Sequence, residues 1–380
     1  MTQVDNPILL GGCGSSGTSL LSHLLNGHPN LYCGAELHLL NKKALYEPPF
    51  TESKSQLARL LQKRAKALAT GVKLRIPARA AYLQIKRLRY DGILTTGLLN
   101  NKYLGSSTYA NLRYGRAIFA DCAGYGLTLE DCLNLVQTSD SFKELIDRFF
   151  AAVLLRAGKQ RWAEKTPNNC YCIGEFLSLY PAGQYIHIVR DGRDVVPSLI
   201  KRGASPEVAV RRWLHDTLMG YPYRHHSRCY MLKYEDLVSA PLQTLNQLTR
   251  FLGESESAKQ MLASQTKNSP TNGHSSWSVK TSDPVSTQAL EKWKKPNYFS
   301  KGYLEALFAY THLSSKFLDS LGIDGIRSAN DLLRALNYEA TDCWNNNPRL
   351  SPKLMKHFFQ EKVYSLLASE KLACDITVFL

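Results

Sequence analysis

A chain of 380 residues suffices for one large domain with an appendage or for two ordinary domains, and its 44% apolar and 21% charged residues exclude a collagenous or disordered chain. No apolar run approaches the ~18 residues of a membrane-spanning helix. The nine cysteines are scattered without a C-x-x-C pair or zinc spacing, so they predict reduced core thiols in a cytoplasmic protein rather than a disulfide scaffold or metal module.

The first predicted element is a buried strand over residues 7–10. Its early position leaves no room for a targeting peptide ahead of the fold. A loop of Gly11, Gly12, Gly14, Ser15, Ser16 and Gly17 follows. Thr18 and Ser19 then lead into Leu20, Leu21, Leu24 and Leu25 at helical spacing. Strand, glycine-rich loop and helix start together form an anion cradle, because small residues let backbone N–H groups close on a phosphate at the positive end of a helix. Gly12 and Gly17 keep the G-x-x-x-x-G frame, but Thr18 stands where an ATP-binding loop needs lysine. The loop is therefore expected to hold a phosphate-like group other than the terminal phosphates of ATP.

Residues 30–34 read as a short strand or turn. Beyond them, extended chain would set Glu36 and His38 on one face. Between positions 53 and 90 the sequence carries eleven Lys and Arg and no acidic residue, a large share of the net charge of +15. This basic segment, 54–89, is expected to form one or two helices and to face an anionic partner or simply water. It has few aromatic residues to stack on bases, so no nucleic acid is expected. Residues 91–126 are loop-rich, and the whole of about 42–140 reads as an insertion. Regular structure resumes at Ser141, which with Glu144 predicts a capping box for a helix over 142–157 closed by Gly158.

A strand over 161–165 then ends in Glu164-Lys165-Thr166-Pro167. Asn168 or Asn169 is expected to cap a helix running to Tyr180. Residues 184–190 form a β-branched strand ending at Arg190, with His187 a core histidine. Asp194 is expected to cap the next helix, with Pro197 in its first turn. Further elements are a helix from Pro206, a strand over 229–233, a helix over 242–252 closed by Gly253, and a short helix over 288–293. Helical pattern beyond residue 300 includes 330–336 and 353–367. Strands alternating with helices predict an α/β fold with a central parallel sheet flanked by helices. A main domain over 1–325, holding the insertion, would precede a helical extension over 326–380. In such sheets ligands bind at the carboxyl ends of the strands, which puts the loop, Lys165 and Arg190 on one edge.

Arg190 offers a planar fork of donors, and Ser198, eight residues on, a hydroxyl; the two suit a phosphate dianion. A cradle for one anion and an Arg/Ser pair for a second suggest a nucleoside with anionic groups at both ends. Three stretches then resemble sulfotransferases that use 3′-phosphoadenosine 5′-phosphosulfate (PAPS): GGCGSSGTSLL at 11–21, HIVRDGRDVVPSL at 187–199, and Lys233-Tyr234-Glu235-Asp236-Leu237 ahead of a helix ending Phe251-Leu252-Gly253. HPNLYCGAELHLL, at 28–40, is similar to the segment after the loop in tyrosylprotein sulfotransferases and their bacterial relatives.

The resemblance implies a P-loop-like, three-layer fold and a set of roles. Ser15, Ser16, Gly17, Thr18 and Ser19 would bind the 5′-phosphosulfate. Lys165 would neutralise the leaving phosphate oxygen, and Glu36 would serve as catalytic base, with His38 the other candidate. Arg190, Ser198 and Arg202 would hold the 3′-phosphate, Tyr234 would lie near the nucleotide, and Ser278 and Lys280 would return to it from a later loop. The implied reaction moves a sulfuryl group to an acceptor hydroxyl and leaves adenosine 3′,5′-bisphosphate (PAP), with no metal. The pattern departs from its relatives at Ser15, where many carry Arg or Lys, and at Asp283, where the tyrosylprotein group has Lys before a proline. Two other readings share part of the pattern: a non-catalytic binder of nucleotides or polyanions on the same fold, and a kinase, which would need the missing loop lysine.

Overall fold

The computed structural model describes residues 4–34, 36–37, 50, 54–55, 58, 62, 125–201, 204, 206–264, 285–295, 304, 307–308, 311, 313 and 315–339. The remainder of the basic segment, the loop-rich stretch up to 124 and the helix expected over 353–367 lie outside them. The elements run in chain order as β1 (Ile8–Gly12), α1 (Thr18–Asn26), β2 (Leu31–Cys33), α2 (Leu129–Thr138), α3 (Phe142–Ala157), β3 (Arg161–Lys165), α4 (Ile173–Leu179), β4 (Gln184–Val189), α5 (Gly192–Lys201), α6 (Pro206–Leu218), β5 (Cys229–Lys233), α7 (Tyr234–Ser239), α8 (Pro241–Leu252), α9 (Ala258–Ala263), α10 (Ser315–Ser320) and α11 (Ala329–Ala335). They divide between two compact units: Met1–Arg75, Ser106–Arg190 and Asp216–Gln288 in the first; Ile76–Gly105, Asp191–His215 and Ala289–Leu380 in the second. No helix of the described residues is long and apolar enough to cross a membrane.

The first unit is built on a five-stranded sheet in the order β2-β3-β1-β4-β5, all parallel and flanked by helices. Sheets covered on both faces need strands that are apolar throughout. Every residue of β1 is buried, as is all of β4 beyond Gln184. Leu10 lies opposite Lys165 and Gly12 opposite Ile188, so the loop after β1, the end of β3 and the end of β4 share one edge.

α3 has the helical period the sequence predicts, burying Phe142, Leu145, Ile146, Phe149, Phe150, Val153 and Leu154 on one face. Ser141 caps it by accepting from Glu144 N–H, and Gly158 closes it at φ 63°. The capping box is only half formed, because the Glu144 carboxylate accepts from Asp140 N–H instead. Phe150 stacks on Trp162 of β3 with ring centroids 4.0 Å apart, an arrangement adding ~0.5–1.5 kcal/mol to the burial itself. At the other end of the sheet, Arg161 is buried and fully engaged. It donates to the Asn6 carbonyl and side chain, the Leu252 carbonyl, Glu254 and Gln184, tying β3 to the entry of β1 and the exit of α8.

Several expectations shift. Regular structure, expected to resume at Ser141, already resumes with α2, whose capping box pairs Thr128 with Asp131. Asn169 caps no helix: a 3-10 turn over Pro167–Tyr171 precedes α4, and the Asn169 side chain turns inward. α5 starts at Gly192, so Pro197 sits in its second turn and Asp194 in its first. Residues 288–293 form parts of two 3-10 turns rather than a helix.

In the second unit, Arg193 is the organising side chain. It pairs with Asp191 at 2.7 Å, lies 3.9 Å over the Trp293 ring and donates to the Glu339 carbonyl. The Asp194 carboxylate, freed from capping, accepts from Trp293 N–H at 3.2 Å. Ser328 and Asp331 form a complete capping box for α11.

His187 is a core residue, as read from the sequence: it is buried in β4, with Nδ1 sharing a 2.9 Å hydrogen bond with Tyr185 Oη. Burial pushes its imidazole from 6.5 down to about 4. The folded state thus binds fewer protons than the unfolded state in between. Its contribution to stability is complete above pH 6.5 and is lost as pH falls toward 4, a difference of about 3 kcal/mol. Urea unfolding between pH 7 and 4 is expected to show a shallower loss of stability in His187→Gln than in the parent; equal slopes would remove His187 as the source.

Candidate active site

The loop after β1 is shaped by contact on both sides. Gly12 has φ 139°, and a Cβ there would fall 2.3 Å from the Ile188 carbonyl oxygen. Gly17, at φ 96°, is the N-cap of α1, and a Cβ would strike the Tyr234 ring at 2.3 Å. Only glycine combines that backbone with that approach. Between them Ser16 N–H bonds the Cys13 carbonyl, and Ser15 takes the left-handed conformation at φ 74°. Gly17 provides no side-chain cap, so the first N–H groups of α1, from Thr18 on, stay directed at the loop. Ser16 Oγ is buried and has no hydrogen-bond partner among the described residues. Such an orphan is costly unless a ligand supplies the acceptor.

Arg190, just past β4, reaches back to this loop. Nη1 donates to the Ser15 carbonyl at 3.1 Å, and the guanidinium stacks 4.4 Å over the Tyr234 ring. Gly17, Tyr234, Arg190 and Ser15 therefore form one continuous contact. Ser198 lies half-buried on α5, in the second unit.

Lys165 closes β3 and is buried. Its ammonium donates to Glu36 Oε1 at 2.7 Å and to Ser19 Oγ at 3.4 Å, placing it between the start of α1 and the chain leaving β2. Glu36 keeps 28% of its side-chain surface exposed, against 6% for Lys165. The structure thus brings together Glu36, Lys165 and Ser19, and separately Ser15, Gly17, Arg190 and Tyr234. Thr18 is buried in the first turn of α1. His38, Arg202, Ser278 and Lys280 fall outside the described residues. Among those described, no three His, Cys, Asp or Glu side chains gather as a metal site.

Two residues escaped the sequence reading. Glu164 is fully buried beside Lys165, where desolvation pushes its carboxyl above the usual range. Asn169 donates to it and to the Leu10 carbonyl. The available sign was an acid within an otherwise buried strand, a position that has to be provided with donors.

Residues 7–258 match the sulfotransferase family. No curated protein matches the chain. Among solved structures, the chain is similar to the sulfotransferase domain of the Synechococcus PCC 7002 olefin synthase, at 18% identity, covering 76% of this chain and 88% of that one, with a TM-score of 0.43. It is also similar to the sulfotransferase domain from the curacin biosynthetic pathway, at 16% identity, 88% and 98% coverage and a TM-score of 0.42. Sulfotransferase STF9 from Mycobacterium avium matches at 15% identity, 85% and 78% coverage and a TM-score of 0.35. With two thirds of its length matched by the family, this chain belongs to the sulfotransferase family.

Proposed function

We propose that the protein transfers a sulfuryl group from PAPS to an acceptor hydroxyl, with PAP as the second product. The observation that carries the reading is the position of Lys165, between the helix that opens the anion cradle and the carboxylate of Glu36. A cradle whose buried Ser16 Oγ lacks a partner among the described residues fits the donor's 5′ end. Bound there, the donor supplies an electrophilic sulfur and a phosphate leaving group.

The chain's own residues then divide the work. The N–H groups of Ser15 and of Gly17 to Ser19, with the Ser16 hydroxyl, hold the anion; the Ser16 N–H is kept by the Cys13 carbonyl. Lys165 is a preset cation where negative charge develops on the leaving oxygen, the kind of fixed donor that lowers a barrier without reorganisation. Glu36 accepts the proton of the acceptor hydroxyl as its oxygen bonds to sulfur. Arg190, fastened beside the cradle, binds the 3′-phosphate. Tyr234 flanks the nucleotide; Ser278 and Lys280, outside the described residues, are assigned to the donor by the sequence resemblance. The basic segment 54–89 would suit an acceptor that is itself anionic. The kinase reading finds no support at the loop, where Thr18 replaces the required lysine.

Thermal denaturation with adenosine 3′,5′-bisphosphate tests the site. A ligand at ~100 times its dissociation constant stabilises the fold by about 2.7 kcal/mol. Stabilisation is expected with the bisphosphate and not with ATP–magnesium; the reverse pattern would discard the donor assignment. Arg190→Ala is expected to weaken bisphosphate binding by about 2–3 kcal/mol, as for loss of a hydrogen-bonded charge, read by calorimetric titration.

Turnover, followed as bisphosphate release from PAPS across a panel of tyrosine peptides, sugars and small alcohols, tests the chemistry. Lys165→Ala is expected to lower kcat by ~10²–10³, and Glu36→Gln by ~10²–10⁴, with bisphosphate affinity retained in Glu36→Gln. Full activity in either variant would remove that residue from its role.

A further inference from the structure

We propose that Glu164 is a positioning residue, whose buried carboxylate grips the backbone N–H of Leu37 and so holds Glu36 against Lys165. The inference rests on the reading of Glu36 as base and Lys165 as the cation at the leaving oxygen. Adjacent residues of β3 make two anchors to adjacent residues of the segment after β2. Lys165 Nζ donates to Glu36 Oε1 at 2.7 Å, and Glu164 Oε1 accepts from Leu37 N–H at 2.8 Å. Side chains alternate across a strand, so the two anchors leave β3 in opposite directions and grip the segment at two separate points. The ion pair restrains the Glu36 carboxylate, and the Leu37 bond fixes the backbone from which that side chain projects.

The chemistry of Glu164 argues for more than filling space. Its carboxylate is out of water, and the partners the structure gives it are all neutral donors: Leu37 N–H, Thr166 Oγ1 at 2.6 Å and Asn169 Nδ2 at 2.5 Å. A carboxylate buried without a cation is a poor way to stabilise a core, and an apolar side chain of similar volume commonly does as well. What the carboxylate adds is acceptor geometry. Its two oxygens join two pieces of chain: the segment that carries Glu36, through Leu37 N–H, and the run from Thr166 into the 3-10 turn, through Thr166 Oγ1 and Asn169 Nδ2. Asn169 makes a second tie, donating to the Leu10 carbonyl of β1 at 3.1 Å. The segment bearing the base and the strand bearing the cation are thereby tied through a single buried carboxyl, while β1 is held by Asn169 itself.

The test compares Glu164→Met, which keeps volume and loses the acceptors, with Glu164→Gln, whose amide oxygen still accepts from Leu37 while its nitrogen replaces the acceptor that faces Asn169. Three readouts are taken: kcat, bisphosphate affinity, and hydrogen exchange of the Leu37 amide. Glu164→Met is expected to lower kcat by about 10- to 100-fold, the scale of an ångström-level misplacement. Leu37 N–H should lose its protection while the β1 amides and bisphosphate affinity hold. Glu164→Gln should retain Leu37 protection and most of kcat.

In a Glu36→Gln background the Met substitution should cost nothing further, because the group it positions is already gone; a multiplicative loss would mean a general structural role and overturn the proposal. Unchanged kcat in Glu164→Met, with Glu36→Gln impaired, would also overturn it while leaving the base intact. Full activity of Glu36→Gln would instead remove the base. If Glu164→Met does not fold, Glu164→Gln decides: lost kcat with Leu37 still protected refutes the positioning role, and retained kcat with protection supports it.

Discussion

An ammonium almost wholly withdrawn from water requires an anion at hand, and Lys165 has Glu36 at 2.7 Å. Leaving either charge buried alone would cost several kcal/mol, so the folded state must bring the end of β3 to the chain that leaves β2. The sheet makes that meeting possible. β2 and β3 are neighbours, with Leu31 opposite Arg161 and Cys33 opposite Ala163. Chain running on from β2 therefore passes the sheet edge at the level of Lys165. A one-residue slip would turn Lys165 to the other face and carry Glu164 into its place. The register of three residues in a short strand thus governs the charge pair on which the proposed chemistry depends.

The cradle side of the site obeys a different constraint, that of close approach. Gly12 and Gly17 accommodate Ile188 and Tyr234 at distances no side chain would allow. Tyr234 in turn supports Arg190, whose guanidinium fastens the Ser15 carbonyl. Ser15 is held in a left-handed conformation that costs a non-glycine residue free energy. The Arg190 hydrogen bond helps to maintain it. Strain kept at an anion loop by surrounding contacts is a form of preorganisation, since the loop need not be rebuilt when a ligand arrives.

Polar groups are buried at both ends of the sheet and are handled differently. At the amino end Arg161 meets an ionic partner, Glu254, and is otherwise saturated by carbonyl and amide oxygens. It is a structural tie. At the carboxyl end Glu164 meets only neutral donors, Lys165 a partly exposed carboxylate, and Ser16 Oγ nothing among the described residues. A buried hydroxyl without a partner at the carboxyl end of a parallel sheet is what a ligand-binding edge provides.

Much of this was legible in one dimension, because its causes are local. Apolar runs of four to six residues bounded by turns marked β1, β4 and β5 to within two residues. Ser141 and Gly158 bounded α3, and Gly253 closed α8, because caps and left-handed glycines act within a turn of the helix they end. The glycine-rich loop, Lys165 and Arg190 could be assigned to one edge from the alternation of strands and helices alone. α2 was missed although its Thr128/Asp131 box stood in the sequence, because tyrosines and glycines nearby read as loop. Asn169 and Asp194 looked like helix caps and are instead turned toward Glu164 and Trp293. Which backbone group such a short polar side chain finds is decided by what else arrives within 3 Å. The sequence by itself thus determined the elements, the parallel sheet and the residues at its carboxyl edge. Only the tertiary structure decided that Glu36 meets Lys165 and that Glu164 holds Leu37. Those contacts join residues well over a hundred positions apart, and no local preference of the chain encodes such a pairing; it follows from the order of strands in the sheet.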